Sequence, residues 1–441
     1  MLHKFKIPKL SLIKSRSGLR EIIKNTGWLF LDRVLRMGAG LVVGVWIARY
    51  LGVQQYGLFN YATAFVGLFS PVASLGLDSL VIRHLVHDSS AKEEILGTTF
   101  CLKLIGSILA LLLAFGGIFL SNNNDSLTVW LVIILAAPGV FLAFDTIDLW
   151  FQSQVKSKYT VIAKNMAFLA ITLVKVTLIN ISAPLLAFAC ATSAEVVLGA
   201  VGLAIAYRVN KFSVRSWRWS FSVAKSLMSE SWPLIFSGFA IAIYVKIDQI
   251  MLGEMVGQEA VGIYAAAARI SEVWYFLPTI IVSSSAPAIY AAKREADETL
   301  YYGRLTKLLR FLALVSVTIA FPMTFLSGTI INLLFGNGYA EAGTVLAIHI
   351  WASLFVFIGV AVSPWFVAEG LTHLAMYRAI LGGITNVVLN LFLIPTYSGT
   401  GAAIATVISY AVGSFLANAT HPKTRKLFIV QLKCFLFFDN I

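Results

Sequence analysis

The chain has 441 residues, of which 59% are hydrophobic and only 12% charged, with a formal net charge of +13. A soluble core wrapped in a solvated shell is excluded, because so few polar residues cannot cover its surface. The continuous Leu/Ile/Ala/Gly/Phe runs also exclude an outer-membrane barrel, whose strands alternate, so the chain reads as an all-α integral membrane protein.

In chain order, residues 1–26 form a basic stretch (Lys4, Lys6, Lys9, Lys14, Arg16, Arg20, Lys24) without the apolar run and cleavage site of a signal peptide. It reads as a cytoplasmic N-terminal tail. A hydrocarbon layer of about 30 Å asks for roughly 20 apolar residues per helix. Twelve spans meet that requirement, near 27–49, 57–80, 97–120, 127–150, 159–180, 184–207, 229–252, 259–290, 310–335, 341–368, 371–394 and 399–420. The eighth and tenth contain Pro278, Pro287 and Pro364, which predicts bends there.

The spans group into an N-terminal bundle (27–208), an amphipathic cytoplasmic linker (209–228), a C-terminal bundle (229–420) and a cytoplasmic C-terminal tail (421–441). The linker carries Trp217, Trp219 and Phe221 among basic residues, as a segment on an anionic leaflet does. Twenty-six of the 34 Lys and Arg fall on the side of the N-terminus and only Arg49 on the other, which predicts cytoplasmic termini. The remaining seven lie within spans: Arg33, Arg36, Lys103, Lys164, Lys175, Lys246 and Arg269.

An internal repeat is visible at an offset of 205. Residues 51–62 (LGVQQYGLFNYA) align with 256–267 (VGQEAVGIYAAA), pairing Gly52 with Gly257 and Gly57 with Gly262. Six spans separate the copies, so both have the same orientation, and the halves are parallel pseudo-repeats. The Gly40–Gly44 small-xxx-small pattern reads as helix packing.

Charge inside a bilayer costs roughly 2.5–3.5 kcal/mol per group on insertion scales, so intramembrane ions mark cavities or pairs. Arg33 and Arg36 share a face of the first span; Asp32 can neutralise Arg36 at i+4, leaving one guanidinium over for an anion such as phosphate. Lys246 and Asp248 cannot meet on one helix, while Glu272 can neutralise Arg269 at i+3. Asp145 and Asp148 share a face, and three roles fit them: an acid/base couple, an ion-coupling site, or partners for Lys103 and Lys164. Glu195 and His349 lie deep, and each reads either as a proton-handling group or as a core residue held by its neighbours. Cys101, Cys190 and Cys434 have no metal-ligand spacing, and no Gly-rich phosphate loop is present, so neither a metal site nor a nucleotide is predicted.

The segments 28–36 (WLFLDRVLR), 48–57 (ARYLGVQQYG), 386–395 (NVVLNLFLIP) and 401–406 (GAAIAT) together resemble Wzx-type polysaccharide flippases of the multidrug/oligosaccharidyl-lipid/polysaccharide exporter superfamily. That resemblance implies two six-helix bundles in a MATE-like V around a central cavity, in a bacterial cytoplasmic membrane. It implies a transporter, not an enzyme, for an undecaprenyl-pyrophosphate-linked oligosaccharide such as an O-antigen unit, with membrane lipids and other polysaccharide-assembly proteins as partners. No nucleic acid and no organic cofactor are expected; a proton or sodium gradient would drive it. By the same analogy Arg33, Arg36, Lys246 and Arg269 become head-group candidates, Lys103 and Lys164 secondary cavity cations, and Asp145, Asp148, Glu195 and Asp248 ion-coupling candidates. A membrane enzyme of the same pathway and a cationic-drug antiporter are the competing readings.

Overall fold

The computed structural model describes residues 16–88, 90–121, 125–295 and 297–435; Lys4, Lys6, Lys9 and Lys14 of the basic tail lie outside them. Among the described residues every regular element is a helix. In order they are α1 (Arg16–Leu68), α2 (Ser70–Ser74), α3 (Asp78–His87), α4 (Lys92–Ile118), α5 (Ser126–Ala136), α6 (Asp145–Ser153), α7 (Lys158–Asn180), α8 (Leu185–Val209) and α9 (Phe221–Met255). They continue as α10 (Gln258–Glu272), α11 (Phe276–Arg294), α12 (Glu298–Phe335), α13 (Ala342–His349), α14 (Ala352–Ala361), α15 (Ser363–Ala368), α16 (Thr372–Ala411), α17 (Ala417–Thr420) and α18 (Arg425–Phe435).

Ten helical stretches among the described residues are long and apolar enough to cross a membrane. The first and the last run longer than one crossing and are broken at a single residue of non-helical backbone, Gly52 (φ 72°) and Ser398 (φ 51°). The basic stretch does not end where the apolar run begins, since α1 starts at Arg16 and continues into the first span. The second predicted span, 57–80, is not one helix. It stops at Leu68, restarts at Ser70 with Pro71 in its first turn, and turns again through Leu75 (φ 50°) and Gly76 (φ 62°) before α3.

Both proline-containing runs are divided, although Pro287 is accommodated inside α11 without a break. A 3-10 segment at Val273–Tyr275 separates α10 from α11 just before Pro278, and the tenth run is divided into α13, α14 and α15, with Pro364 in the first turn of α15.

The repeat has a structural counterpart. Gly52 and Gly257 both carry positive φ (72° and 121°), and each stands where the first helix of its half gives way to the second. Five residues on, Gly57 and Gly262 pack reciprocally. A Cβ on Gly57 would lie 1.8 Å from the carbonyl oxygen of Gln258, and one on Gly262 would lie 2.2 Å from that of Val53. Val53 and Gln258 are themselves partners under the 205-residue offset, so the two copies meet about a local pseudo-dyad that only glycine permits.

Two compact units emerge, and their limits differ from the halves expected at the linker: unit 1 is 1–44 with 65–239, and unit 2 is 45–64 with 240–441. The difference arises because α1 and α9 are long, and the two ends of each pack against different helices. In unit 1 a core of Leu77, Leu85, Leu96, Phe151 and Tyr207 lies beneath residues 210–220. That segment is strapped down: Arg218 N–H donates to Glu93 O (3.0 Å), Ser220 N–H to Thr98 Oγ1 (3.0 Å), and Trp217 Nε1 to the Tyr207 hydroxyl (3.1 Å). Lys92 Nζ sits 4.1 Å from the Phe212 ring centre and 4.5 Å from that of Trp150. Trp217 thus turns inward, whereas Trp219 and Phe221 remain exposed.

Unit 2 closes around Tyr301, Leu309, Phe357, Trp365 and Leu427. Here the expected C-terminal tail is in large part a folded helix. α18 buries Leu427, Gln431 and Cys434; Gln431 Nε2 donates to Ser414 O (2.9 Å), and Asn418 Nδ2 donates to Gln431 Oε1 (2.7 Å). A buried amide that spends both ends on specific partners fixes the register of this helix.

Candidate functional site

The intramembrane charges gather in one cluster per unit, and the two are built differently. In unit 1, Asp32 and Arg36 come from α1, Asp145 and Asp148 from α6, Lys164 and Lys175 from α7, and Glu195 from α8. Arg36 Nε donates to Asp32 Oδ1 at 2.9 Å, the i+4 pair foreseen from the sequence, and Nη1 reaches Glu195 Oε1 at 3.5 Å. Lys175 Nζ approaches the other Glu195 oxygen at 3.6 Å. Lys164 Nζ is 2.8 Å from both Asp145 and Asp148. The guanidinium of Arg36 also stacks over Phe168 at 5.0 Å.

Helical spacing explains the convergence: Lys164, Phe168 and Lys175 share one face of α7, and Asp145 and Asp148 share one face of α6. Arg36, Asp145, Lys164 and Glu195 line a cavity of about 190 Å³ together with Phe141 and Leu142. Four carboxylates meet three cations in this cluster, and Arg36 is shared between Asp32 and Glu195, so the guanidinium expected to be left over is that of Arg33. Arg33 points to the exposed side of α1 and makes no ion pair among the described residues. Lys103 stays outside the cluster: buried on α4, it bonds Asp78 at 2.5 Å, at the start of α3.

In unit 2 the centre is Asp248, 2% exposed on α9. Its carboxylate accepts from Asn390 Nδ2 (2.6 Å), Thr406 Oγ1 (2.7 Å) and the Tyr264 hydroxyl (2.8 Å). Asn390 Nδ2 also donates to Asn386 Oδ1 (3.1 Å), whose own Nδ2 donates to Ser409 Oγ (3.3 Å). No Lys or Arg nitrogen lies within 4 Å of this carboxylate among the described residues, and Asn390 Oδ1 is buried without a donor. The neighbourhood therefore collects oxygen ligands around one formal negative charge, a composition that suits a hard monovalent cation or a proton.

Lys246, two residues away on the same helix, points elsewhere; it and Arg269 are the cationic electrostatic neighbours of Glu272. Arg269 Nη1 also donates to the Tyr56 hydroxyl at 3.4 Å. His349 is a hydrogen-bonded core residue, 1% exposed, with Nδ1 2.5 Å from Ser271 Oγ and its ring edge-on to Tyr264 at 5.5 Å. The four head-group candidates thus divide evenly: Arg33 and Arg36 belong to unit 1, Lys246 and Arg269 to unit 2.

The Asp248 partners were not singled out from the sequence as functional residues, although Asn386, Asn390 and Thr406 stand inside the segments that carry the family resemblance. Their signal was two asparagines at i and i+4 in an otherwise apolar helix, a costly pattern unless a buried polar group needs both.

Comparison with known proteins agrees with this architecture. Residues 22–293 match the family described as Polysaccharide biosynthesis protein, and residues 233–392 match MatE. A protein of Haloferax volcanii described as "Probable flippase AglR" is 26% identical over 425 residues, covering 92% of this chain and 84% of that one. Among solved structures, an inward-facing multidrug-resistance MATE transporter superposes with a TM-score of 0.73 at 14% identity, over 90% of this chain and 95% of that one. The lipid II flippase MurJ, inward closed, superposes at 0.71 and 16% identity, over 95% and 94%. The fold is that of these multi-pass transporters, and with its family matched over more than half its length the chain belongs to the polysaccharide biosynthesis protein family.

Proposed function

We propose that this protein is a flippase that carries an undecaprenyl-pyrophosphate-linked oligosaccharide, an O-antigen unit or a related surface-polysaccharide precursor, from the inner to the outer leaflet of a bacterial cytoplasmic membrane. Its ends face the cytoplasm in this reading, in keeping with the basic side of the loop count. Family membership and the flippase relative favour a lipid-linked glycan as cargo. Arg33, Arg36, Lys246 and Arg269 are the residues proposed to meet the pyrophosphate, with Lys103 and Lys164 as further cations; guanidinium suits phosphate because its planar fork pairs with two oxygens.

The observation that carries the ion-coupling part is Asp248: a carboxylate sealed inside the bundle and held by neutral donors alone. A carboxylate already paired with Lys or Arg has nothing to gain from a further cation, whereas this one does. A proton or sodium ion held by Asp248, Asn390 Oδ1 and Thr406 Oγ1 would cancel the charge and draw α9 and α16 together. A ligand that binds one packing of those helices better than another shifts the population toward it, which is all that coupling requires. Asp145, Asp148 and Glu195 are weaker candidates, because each already faces a cation.

The test is reconstitution in liposomes containing undecaprenyl-pyrophosphate oligosaccharide, with appearance of sugar at the outer face followed by lectin under an imposed pH or sodium gradient. Gradient-dependent transfer that disappears in Asp248→Asn is expected. Chemical turnover of the glycan lipid without transfer would favour the enzyme reading, and export of cationic dyes in place of glycan would favour the drug antiporter.

A further inference from the structure

Above the Asp248 layer, the interior of unit 2 contains a second polar group that the proposed flippase cycle does not use. Arg378 stands six residues into α16, on the same face as Gly382, Asn386 and Asn390. Its guanidinium carbon lies 4.5 Å from the Phe366 ring centre. Two of its nitrogens, Nε and Nη1, are buried and meet no acceptor among the described residues. Tyr244, one turn before Asp248 on α9, is its electrostatic neighbour, and the Tyr244 hydroxyl is likewise buried without a partner. Glycines carry the close packing around the Tyr244 ring. A Cβ on Gly413 would lie 3.2 Å from Arg378 O and 3.5 Å from the Tyr244 hydroxyl, and Gly382 stands opposite, so neither position screens the hydroxyl. Tyr410 packs on Tyr244 from the remaining side at 4.5 Å between ring centres.

The chemistry of this group is one-sided. A guanidinium has only donors, the hydroxyl has a proton to give, and no carboxylate lies within 4 Å of Arg378 among the described residues. Two acids stand in this interior, Asp248 as an electrostatic neighbour of Tyr244 and Glu272 of Tyr410, and neither reaches within 4 Å of Arg378 among the described residues. Buried donors without acceptors are costly, and more so when one is charged, so an arrangement of donors alone is complementary to an acceptor-only anion. At a rise of 1.5 Å per residue, Arg378 is only about 9 Å along the helix from its Thr372 end, within the zone where lipid phosphates lie against a membrane-crossing helix.

We propose that Arg378 and Tyr244 form a binding site for a phosphate oxyanion at this end of unit 2, separate from the Arg36 cluster and from Lys246 and Arg269. The phosphate is that of an anionic phospholipid headgroup or of a polyprenyl diphosphate. Both present the same oxyanion, and because a phospholipid would suffice, the site does not depend on the flippase reading.

The full-length protein in phosphatidylcholine nanodiscs, titrated separately with phosphatidylglycerol and with undecaprenyl diphosphate, tests this by native mass spectrometry of retained lipid. Wild type should retain at least one of them about tenfold better than phosphatidylcholine, the equivalent of one charge-assisted hydrogen bond. Arg378→Gln should fall to the phosphatidylcholine level, and Tyr244→Phe should lose roughly threefold or more. Loss confined to phosphatidylglycerol assigns the site to bilayer lipid, and loss confined to undecaprenyl diphosphate assigns it to the diphosphate. If Arg378→Gln does not fold, Arg378→Lys and Tyr244→Phe carry the test: the first should keep part of the preference and the second should weaken it. No preference in wild type, or equal retention by wild type and the variants, overturns the proposal.

Discussion

The two polar clusters face the same difficulty, charge inside an apolar bundle, and meet it in opposite ways. In unit 1 each acid has a cation: Arg36 between Asp32 and Glu195, Lys164 between Asp145 and Asp148, Lys175 beside Glu195. In unit 2 Asp248 is held by an amide and two hydroxyls. Ion pairing gives every carboxylate of the first cluster a cation and leaves a lined cavity, whereas neutral hydrogen bonds orient a carboxylate without cancelling its charge. The first arrangement is suited to holding shape and presenting polar atoms; the second remains responsive to a cation.

That contrast is most severely tested at Asp248. Asp248→Asn keeps the side chain's size and removes the charge, so gradient-driven glycan transfer should fall at least about a hundredfold, the loss of roughly 3 kcal/mol of coupling. Its thermal unfolding temperature in detergent should stay near that of wild type. A transport-competent Asp248→Asn would end the distinction between the clusters.

A smaller but still large effect is expected at Lys164. Lys164→Met leaves two facing carboxylates without their cation and should cost about 2–4 kcal/mol, less than a fully buried pair because the group is partly accessible. The triple variant Asp145→Asn, Asp148→Asn, Lys164→Met should recover most of that loss in a thermal-shift assay, since the charges leave together.

Thr406→Val sharpens the other side of the comparison by deleting one of the three donors to Asp248. It should cost about 1 kcal/mol and shift the apparent cation affinity by several-fold, read from transport rate against sodium concentration or pH. Arg33→Ala should change stability by no more than about 0.5 kcal/mol, as for other exposed positions, so any loss of surface polysaccharide in a complementation assay would report on substrate and not on folding.

Much of this organisation was legible in the sequence because it depends on composition over long windows. The spans followed from apolar length, the Asp32–Arg36 pair from i+4 spacing, and the likeness of the halves from a 205-residue offset. The second span was harder: 57–80 is uniformly apolar, and hydropathy does not register that Leu75 and Gly76 take positive φ. The folding of the C-terminal tail was hidden for a related reason. α18 is too short and too basic to cross a membrane, and what holds it is Gln431 meeting Ser414 and Asn418, partners that no periodicity announces.

By itself the sequence determined that this chain lives in lipid and which stretches are apolar enough to cross it. These properties are sums over neighbouring residues, and such sums need no coordinates. Only the tertiary structure decided which charges meet. Lys103 was drawn to Asp78 and Lys164 to the aspartates of α6, Glu195 was shared between Arg36 and Lys175, and Asp248 was given Asn390 and Thr406 from more than 140 positions away. Pairing depends on distances of a few ångströms between helices remote in the chain, and that separation is set by packing at contacts such as Gly57 against Gln258.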